Sequence, residues 1–498
     1  MKPFTFLSTH AENQSAFGTH RSAIDRRRYV DWQPADRKDC HEEMSFVGSC
    51  GHRLTACRRA VANIFLLALF ATALPTLMSA AANPSKLPEG MFSTVGNQIV
   101  DQNQNPVRLS CVYWPGLNHQ DGPLSSLTGP FKGIPANVEA IAATGFNCVR
   151  IDFNNISLHD RGTSAFLSQM DQVVGAATRI KLRVIIADHD NEGNYGSNVN
   201  YTDDCAAQQS NGIWYDLGGG SDGTDGCKDP GHTTQATYQG DWVAIASRYA
   251  RNNTVIGYDL WNEPVARKGG SLWGGGSNRD IHRMYETVGS AILSRDAAKL
   301  IFAECPLGVY TPTMLYDGTT HGSAPWGDCT GVKALPVVFT VNGHSIKNKV
   351  VYDVHLYPNS IGDISRLFGS SSSPGAIKAM NYSFGFLESQ NIAPVWDGEG
   401  GTGFRENPDD LEWARMLDKY LNGQLGSQGG PTFSGNQQGM GIAWMSWTKP
   451  FSGPGSDNLG ILNADGSRSS AQLRIVEPLL FYPKGENKGS HHDGSPKH

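Results

Sequence analysis

The sequence predicts an α/β protein, a (β/α)8 TIM barrel forming a single catalytic domain with long βα loops. Three observations point there: eight short apolar runs, amphipathic stretches of helical period between them, and polar residues that end several of the runs. The runs lie at 107–112, 148–151, 184–187, 255–260, 300–303, 350–354, 394–396 and 441–447. Each is short and nearly all apolar, as expected of a parallel strand buried on both faces. The intervening stretches 134–144, 165–180, 236–250, 279–293 and 408–420 carry apolar residues at helical spacing, as in Trp242, Ile245, Ala246 and Tyr249. No repeat of solenoid period is visible and no Ser/Thr/Pro linker leads to an accessory module. One barrel domain, enlarged by its loops, accounts for residues 83–482.

The flanks read differently. One long apolar run, 61–74, follows Arg58 and Arg59 and is followed by Ser79, Ala80, Ala81 and Ala82. A charged start, an apolar centre and a small-residue end make 61–82 a signal peptide cleaved near Ala82. A signal-anchor is the alternative, weakened by Pro75 and the Ser/Ala end. The expected location is extracellular, by secretion, with a membrane involved only if that segment is retained. Residues 1–60 read as a disordered extension or a mis-assigned start, because Met44 opens a more usual signal length. Residues 483–498 read as a disordered tail, whose His491, His492 and His498 suit a frayed terminus better than a metal site.

Charge narrows the partners. The net charge is −6, and residues 1–60 hold ten Lys/Arg against seven Asp/Glu, leaving −9 for the rest. Such a surface has no basic stripe to follow a phosphate backbone, so nucleic acid is excluded as a partner. A monomer is expected. No His-Glu-x-x-His, paired Cys-x-x-Cys or EF-hand loop occurs, so no metal or other cofactor is expected. The acidic run 188–192 reads as a polar loop at the rim of a cleft.

Six of the nine cysteines follow the apolar run, an even set in an exported chain. Cys205 and Cys227 flank one polar stretch and Cys305 and Cys329 another, which suggests those pairings. Cys111 and Cys148 lie inside apolar runs and read as buried free thiols. Asn155, Asn200, Asn252 and Asn381 begin N-x-S/T sequons.

Barrel active sites sit at the C-terminal ends of the strands, so polar residues ending an apolar run carry the chemistry. Arg150 ends the second run, His189 the third, Asn262 and Glu263 the fourth, His355 and Tyr357 the sixth, Glu399 the seventh and Trp447 the eighth. Two glutamates at one barrel rim suit cleavage of a glycosidic bond, one protonating the leaving oxygen and the other attacking the anomeric carbon. Singly, each helper has a structural reading as well: Arg150 an ion-pair partner, His189 a loop histidine, Trp447 barrel packing.

The stretches V-I-G-Y-D-L-W-N-E-P (255–264), I-W-Y (213–215), N-I-A-P-V-W (391–396) and W-M-S-W followed by D-N-L-G-I-L (444–462) resemble glycoside hydrolase family 5, its endo-β-1,4-glucanase members in particular. The resemblance covers about residues 90–480. It implies a retaining hydrolase cutting β-glucan internally, with Glu263 as general acid/base and Glu399 as nucleophile. It also implies that Arg150 keeps Glu399 ionised, Asn262 holds the sugar 2-hydroxyl, and His355 and Tyr357 orient the nucleophile and ring. His189 would bond the same sugar and Trp447 would form its platform, with Trp444 competing for that role. Trp114, Trp214, Trp273 and Trp326 are further platform candidates or core residues. Two positions depart from the family pattern: Gly400, where an aromatic residue commonly follows the nucleophile, and Ala187, where an aspartate often stands. The first is expected to loosen the site beside Glu399. The alternatives are the same mechanism on mannan, xyloglucan or another β-glycoside, and an inactive carbohydrate-binding barrel.

Overall fold

A computed structural model of the chain describes residues 87–117, 133–190, 213–215, 233–264, 270–307, 327–358, 360–361, 374–402, 408–448, 459–463 and 465–481. The expectations for 1–60, 61–82, 483–498, the Cys205–Cys227 pair, Asn200 and Trp326 lie outside the described residues.

A small antiparallel sheet opens the fold: β1 (Ser93–Val95), β2 (Gln98–Val100) and β3 (Pro106–Val107), in that order. The barrel strands are β4 (Ser110–Trp114), β5 (Cys148–Asn154), β6 (Arg183–Asp190), β7 (Val255–Asp259) and β8 (Leu300–Glu304). A two-stranded hairpin, β9 (Phe339–Val341) and β10 (His344–Ile346), precedes the last three staves. Those are β11 (Val350–Leu356), β12 (Val395–Gly400) and β13 (Gly441–Met445). All eight staves pair in parallel and close in the order β11-β12-β13-β4-β5-β6-β7-β8. Every predicted run contributes a stave. The first is divided, its opening residue belonging to the small sheet, while Arg108 leaves the strand path to donate from Nε to the Met440 carbonyl at 2.7 Å.

Alternation along each strand sorts side chains into two layers. Cys111, Cys148, Ile185, Ile256, Leu300 and Val351 pack together inside the ring. Val112, Val149, Ile186, Ile301, Tyr352 and Ile442 belong to the larger core shared with the helices. Helix Thr163–Ile180 adds Phe166, Met170, Val173, Val174 and Ala177 to that core, the stripe its period predicts.

The helices start where side chains can satisfy their free N–H groups. Thr234 accepts from Thr237 N at 3.0 Å to open Gln235–Arg248, and Asp280 accepts from Arg283 N at 3.1 Å to open Ile281–Leu293. Each such cap contributes about 1 kcal/mol. Pro374–Met380, a π turn at Asn381–Gly385, and Phe386–Ser389 make a helical segment that the sequence reading left out. Gly385 and Asn381 weaken its pattern, and Gly385 is required because the Tyr420 hydroxyl stands 2.1 Å from where a Cβ would lie. No helix among the described residues is long and apolar enough to cross a membrane.

Cys305 and Cys329 form the expected disulfide, with Cα atoms 5.1 Å apart. The expectation of free thiols at Cys111 and Cys148 is overturned, for they form a second disulfide with Cα atoms 4.4 Å apart. They are register partners on β4 and β5, so parallel pairing sets them side by side inside the barrel. The Asn155 sequon is also closed to modification: its side chain is buried and donates from Nδ2 to Asp241 Oδ2 at 2.8 Å.

Candidate active site

The inner face of the barrel changes character toward the strand ends. Above the apolar layer stand Tyr113, Arg150, Asp259, Glu304, Asp353, His355 and Glu399, all buried. Burial of so many ionisable groups requires that they partner one another.

Arg150 is the hub. It stands in mid-strand, because β5 runs on to Asn154, yet it projects inward to the others. Its Nη1 donates to Glu399 Oε1 at 2.7 Å, its Nε and Nη2 donate to Asp259 Oδ2 at 3.0 and 2.7 Å, and Nη2 also reaches Asn262 Oδ1 at 2.8 Å. Its guanidinium carbon lies 5.0 Å from the Tyr113 ring centroid, and Tyr113 in turn stacks on His189.

Glu399 sits on β12 with 3% of its surface exposed. Tyr357 OH donates to its Oε2 at 3.1 Å, and His189 Nε2 lies 3.4 Å from its Oε1. Burial alone would raise its pKa, but the charges of His355 and Arg150 and the His189 contact together hold the carboxyl well below the usual carboxylate range.

Glu263 follows β7 with its side chain 36% exposed, and adopts φ 50, a left-handed conformation rarely taken by a residue with a Cβ. Its N–H donates to Glu304 Oε2 at 2.6 Å, and its Oε1 lies 3.0 Å from His355 Nδ1. The same His355 Nδ1 is 3.8 Å from Glu399 Oε2. One carboxylate oxygen of Glu263, one of Glu399 and a ring nitrogen of His355 all lie within 4.8 Å of one another. Asn262 is buried, and its Nδ2 finds no acceptor among the described residues.

Seven of the eight residues singled out from the sequence therefore converge: Arg150, His189, Asn262, Glu263, His355, Tyr357 and Glu399. Trp447 does not. It is fully buried, it donates from Nε1 to Asn137 Oδ1 on helix Ile134–Thr144 at 2.9 Å, and it packs in the layer between barrel and helices. Trp444 is likewise buried there, its Nε1 donating to Gln472 Oε1 at 3.0 Å. The inward residue of β13 near the rim is Met445, whose Sδ lies 2.7 Å from the Tyr357 hydroxyl oxygen. Trp114 and Trp214 belong to the same outer core, and Trp273 packs against it.

The expectation that Gly400 loosens the site is also corrected. The register of β12 shifts between Asp397 and Gly400, and Asp397 Oδ2 stands 2.0 Å from where a Gly400 Cβ would lie. The Asp397 carboxylate fills that space, and its Oδ1 accepts from Leu356 N at 3.1 Å.

The sequence reading passed over Asp259, Glu304 and Asp353. Glu304 ends the fifth run, so the rule that found Glu263 and Glu399 applies to it unchanged. Glu304, Asp353 and His355 also offer one donor atom each within 4.8 Å of one another, a second cluster beside that of Glu263, His355 and Glu399.

A closed parallel barrel with two carboxylates converging at its rim defines a glycoside hydrolase. Residues 100–448 match the profile of Cellulase (glycosyl hydrolase family 5), and the chain belongs to that family. It is 27% identical over 395 residues to an endoglucanase of Paenibacillus polymyxa, covering 73% of this chain and 85% of the relative. It is 25% identical over 366 residues to the major extracellular endoglucanase of Xanthomonas campestris, covering 72% of this chain and 67% of the relative. Among solved structures, a cellulase–inhibitor complex superposes with TM-score 0.58 at 20% identity, covering 79% of this chain and 100% of the other. A cellotetraose complex of an endocellulase from Pyrococcus horikoshii superposes with TM-score 0.57 at 19% identity and the same coverage. These likenesses are ones of fold.

Proposed function

We propose that the protein is a retaining endo-β-1,4-glucanase in which Glu399 is the nucleophile and Glu263 the general acid/base. The observation that carries this reading is the approach of the two carboxylates to within 4.8 Å, oxygen to oxygen, across His355. Retention needs carboxyl groups about 5 to 5.5 Å apart, whereas inversion needs a gap wide enough for water. In the first step a Glu399 oxygen bonds to the anomeric carbon as the glycosidic C–O bond breaks, and Glu263 gives its proton to the departing oxygen. In the second, Glu263 takes a proton from water, whose oxygen attacks the anomeric carbon and releases Glu399.

The two roles suit the two environments. Glu399, ionised by its cationic neighbours, is ready to attack without first losing a proton. Glu263, the more exposed of the pair, can exchange protons with leaving group and water. The unsatisfied Asn262 Nδ2 is a donor for a sugar hydroxyl, and His189 and Tyr357 complete the wall around Glu399. The relatives named endoglucanase support β-1,4-glucan as substrate, and the extracellular relative supports secretion.

Hydrolysis of a defined cello-oligosaccharide, with the product anomer followed by NMR, tests substrate and stereochemistry together. The β-anomer must appear first; initial α-product, or reducing-sugar release from mannan but not from carboxymethylcellulose, overturns the reading. Glu399→Gln must abolish turnover while oligosaccharide binding survives.

A further inference from the structure

Glu304 touches Glu263 from two directions. Its Oε2 accepts the Glu263 N–H at 2.6 Å, which fixes the left-handed backbone from which that side chain departs. The same oxygen lies 3.5 Å from Nε2 of His355, the ring whose Nδ1 is 3.0 Å from Glu263 Oε1. Glu304 is 0% exposed, and neither its Oε1 nor His355 Nε2 has a hydrogen-bond partner among the described residues. The rear of this histidine is closed to solvent and faces carboxyls.

We propose that Glu304 is a positioning residue for Glu263, holding its main chain directly and backing the His355 ring that its carboxylate touches. The inference rests on Glu263 being the general acid/base. Behind the ring stand Glu304 from β8 and Asp353 from β11, whose Oδ2 is 4.0 Å from Nε2, with Asp259 of β7 acting on both and Arg150 of β5 acting on Asp353. Glu263 must reach the departing oxygen from one position, and its main chain and its carboxyl are both held by the same buried carboxyl, directly and through the ring. Burial and the neighbouring Asp353 push the Glu304 carboxyl well above the usual range.

Glu304→Ala tests this, with Glu304→Gln as the variant whose amide oxygen still accepts from Glu263 N–H and which should keep most of the activity. Glu304→Ala has no acceptor there, so the Glu263 carboxyl loses its fixed place at the leaving oxygen. With aryl β-cellobiosides, kcat/KM should fall by about tenfold to a hundredfold on phenyl cellobioside, whose departure needs an acid. On 2,4-dinitrophenyl cellobioside, whose departure does not, the loss should stay under about threefold. Equal losses on both substrates, or a Glu304→Gln that is as impaired as Glu304→Ala, overturn the proposal. Glu263→Gln is run alongside. If it too loses activity equally on both substrates, the assignment of Glu263 as acid fails and the Glu304 inference with it. Selectivity in Glu263→Gln without selectivity in Glu304→Ala overturns the inference alone. Should Glu304→Ala not fold, Glu304→Asp, whose shorter side chain draws the carboxyl back from Glu263 N–H, is read with the same two substrates and the same outcomes.

Discussion

Arg150 and Glu399 meet inside the barrel at 2.7 Å, on strands separated in the ring by β4 and β13, with Asp259 gripped by the other side of the same guanidinium. The planar fork serves both carboxylates at once, which a lysine ammonium cannot do. Arg150→Lys should lower kcat/KM by about two orders of magnitude and destabilise the fold by about 2 to 4 kcal/mol, since one buried carboxylate loses its partner. Steady-state kinetics on a soluble β-glucan and urea midpoints measure both; a variant unchanged in either would break the account of Arg150 as the hub.

Trp447 offers a sharp contrast between family resemblance and observed position. Trp447→Phe removes the indole donor to Asn137 and leaves its acceptor in the helix layer. Stability should fall by about 1 to 3 kcal/mol. KM for cello-oligosaccharides should stay within about twofold, because uniform substrate binding is untouched. A large rise in KM with unchanged stability would restore Trp447 to the cleft.

Glu388 supplies a prediction in pH. Its carboxyl is buried, accepts from Val395 N at 2.6 Å, and is pushed well above its ordinary value of 4.5, first by burial. For an acid with a raised folded-state value, the stability it contributes is present below the unfolded value and is lost as pH rises toward the folded one. Glu388→Gln keeps an acceptor for Val395 and has no charge to bury. Its melting temperature should match the parent near pH 4 and exceed it at pH 7 to 8, by about 1 kcal/mol or more in stability. Scanning calorimetry across that range checks the sign, and equal melting temperatures at both ends would refute it.

How much of this could be read beforehand depended on whether a feature is local. The staves, and the glutamates that end two of them, are visible because a buried strand is an apolar run and a polar residue at its end breaks the pattern. Glu304 was equally legible and needed only the same rule. The Cys111–Cys148 bond was not, since strand composition gives no register and the two positions become neighbours only when β4 and β5 pair. Trp447 took the platform role from the motif resemblance, whereas β13 ends at Met445 and it is Met445 that turns to the cleft. Gly400 looked like a missing side chain in the sequence, while in the fold its space belongs to Asp397.

The pairing of β13 with β4 has a consequence for synthesis. One hydrogen-bonding neighbour of Ser110–Trp114 leaves the ribosome only after nearly the whole domain has been made. Until then β4 presents a bare row of amides and carbonyls, a template for pairing with another nascent chain. Fragments that stop before Gly441 should therefore collect in insoluble material, whereas chains that include the last stave should not.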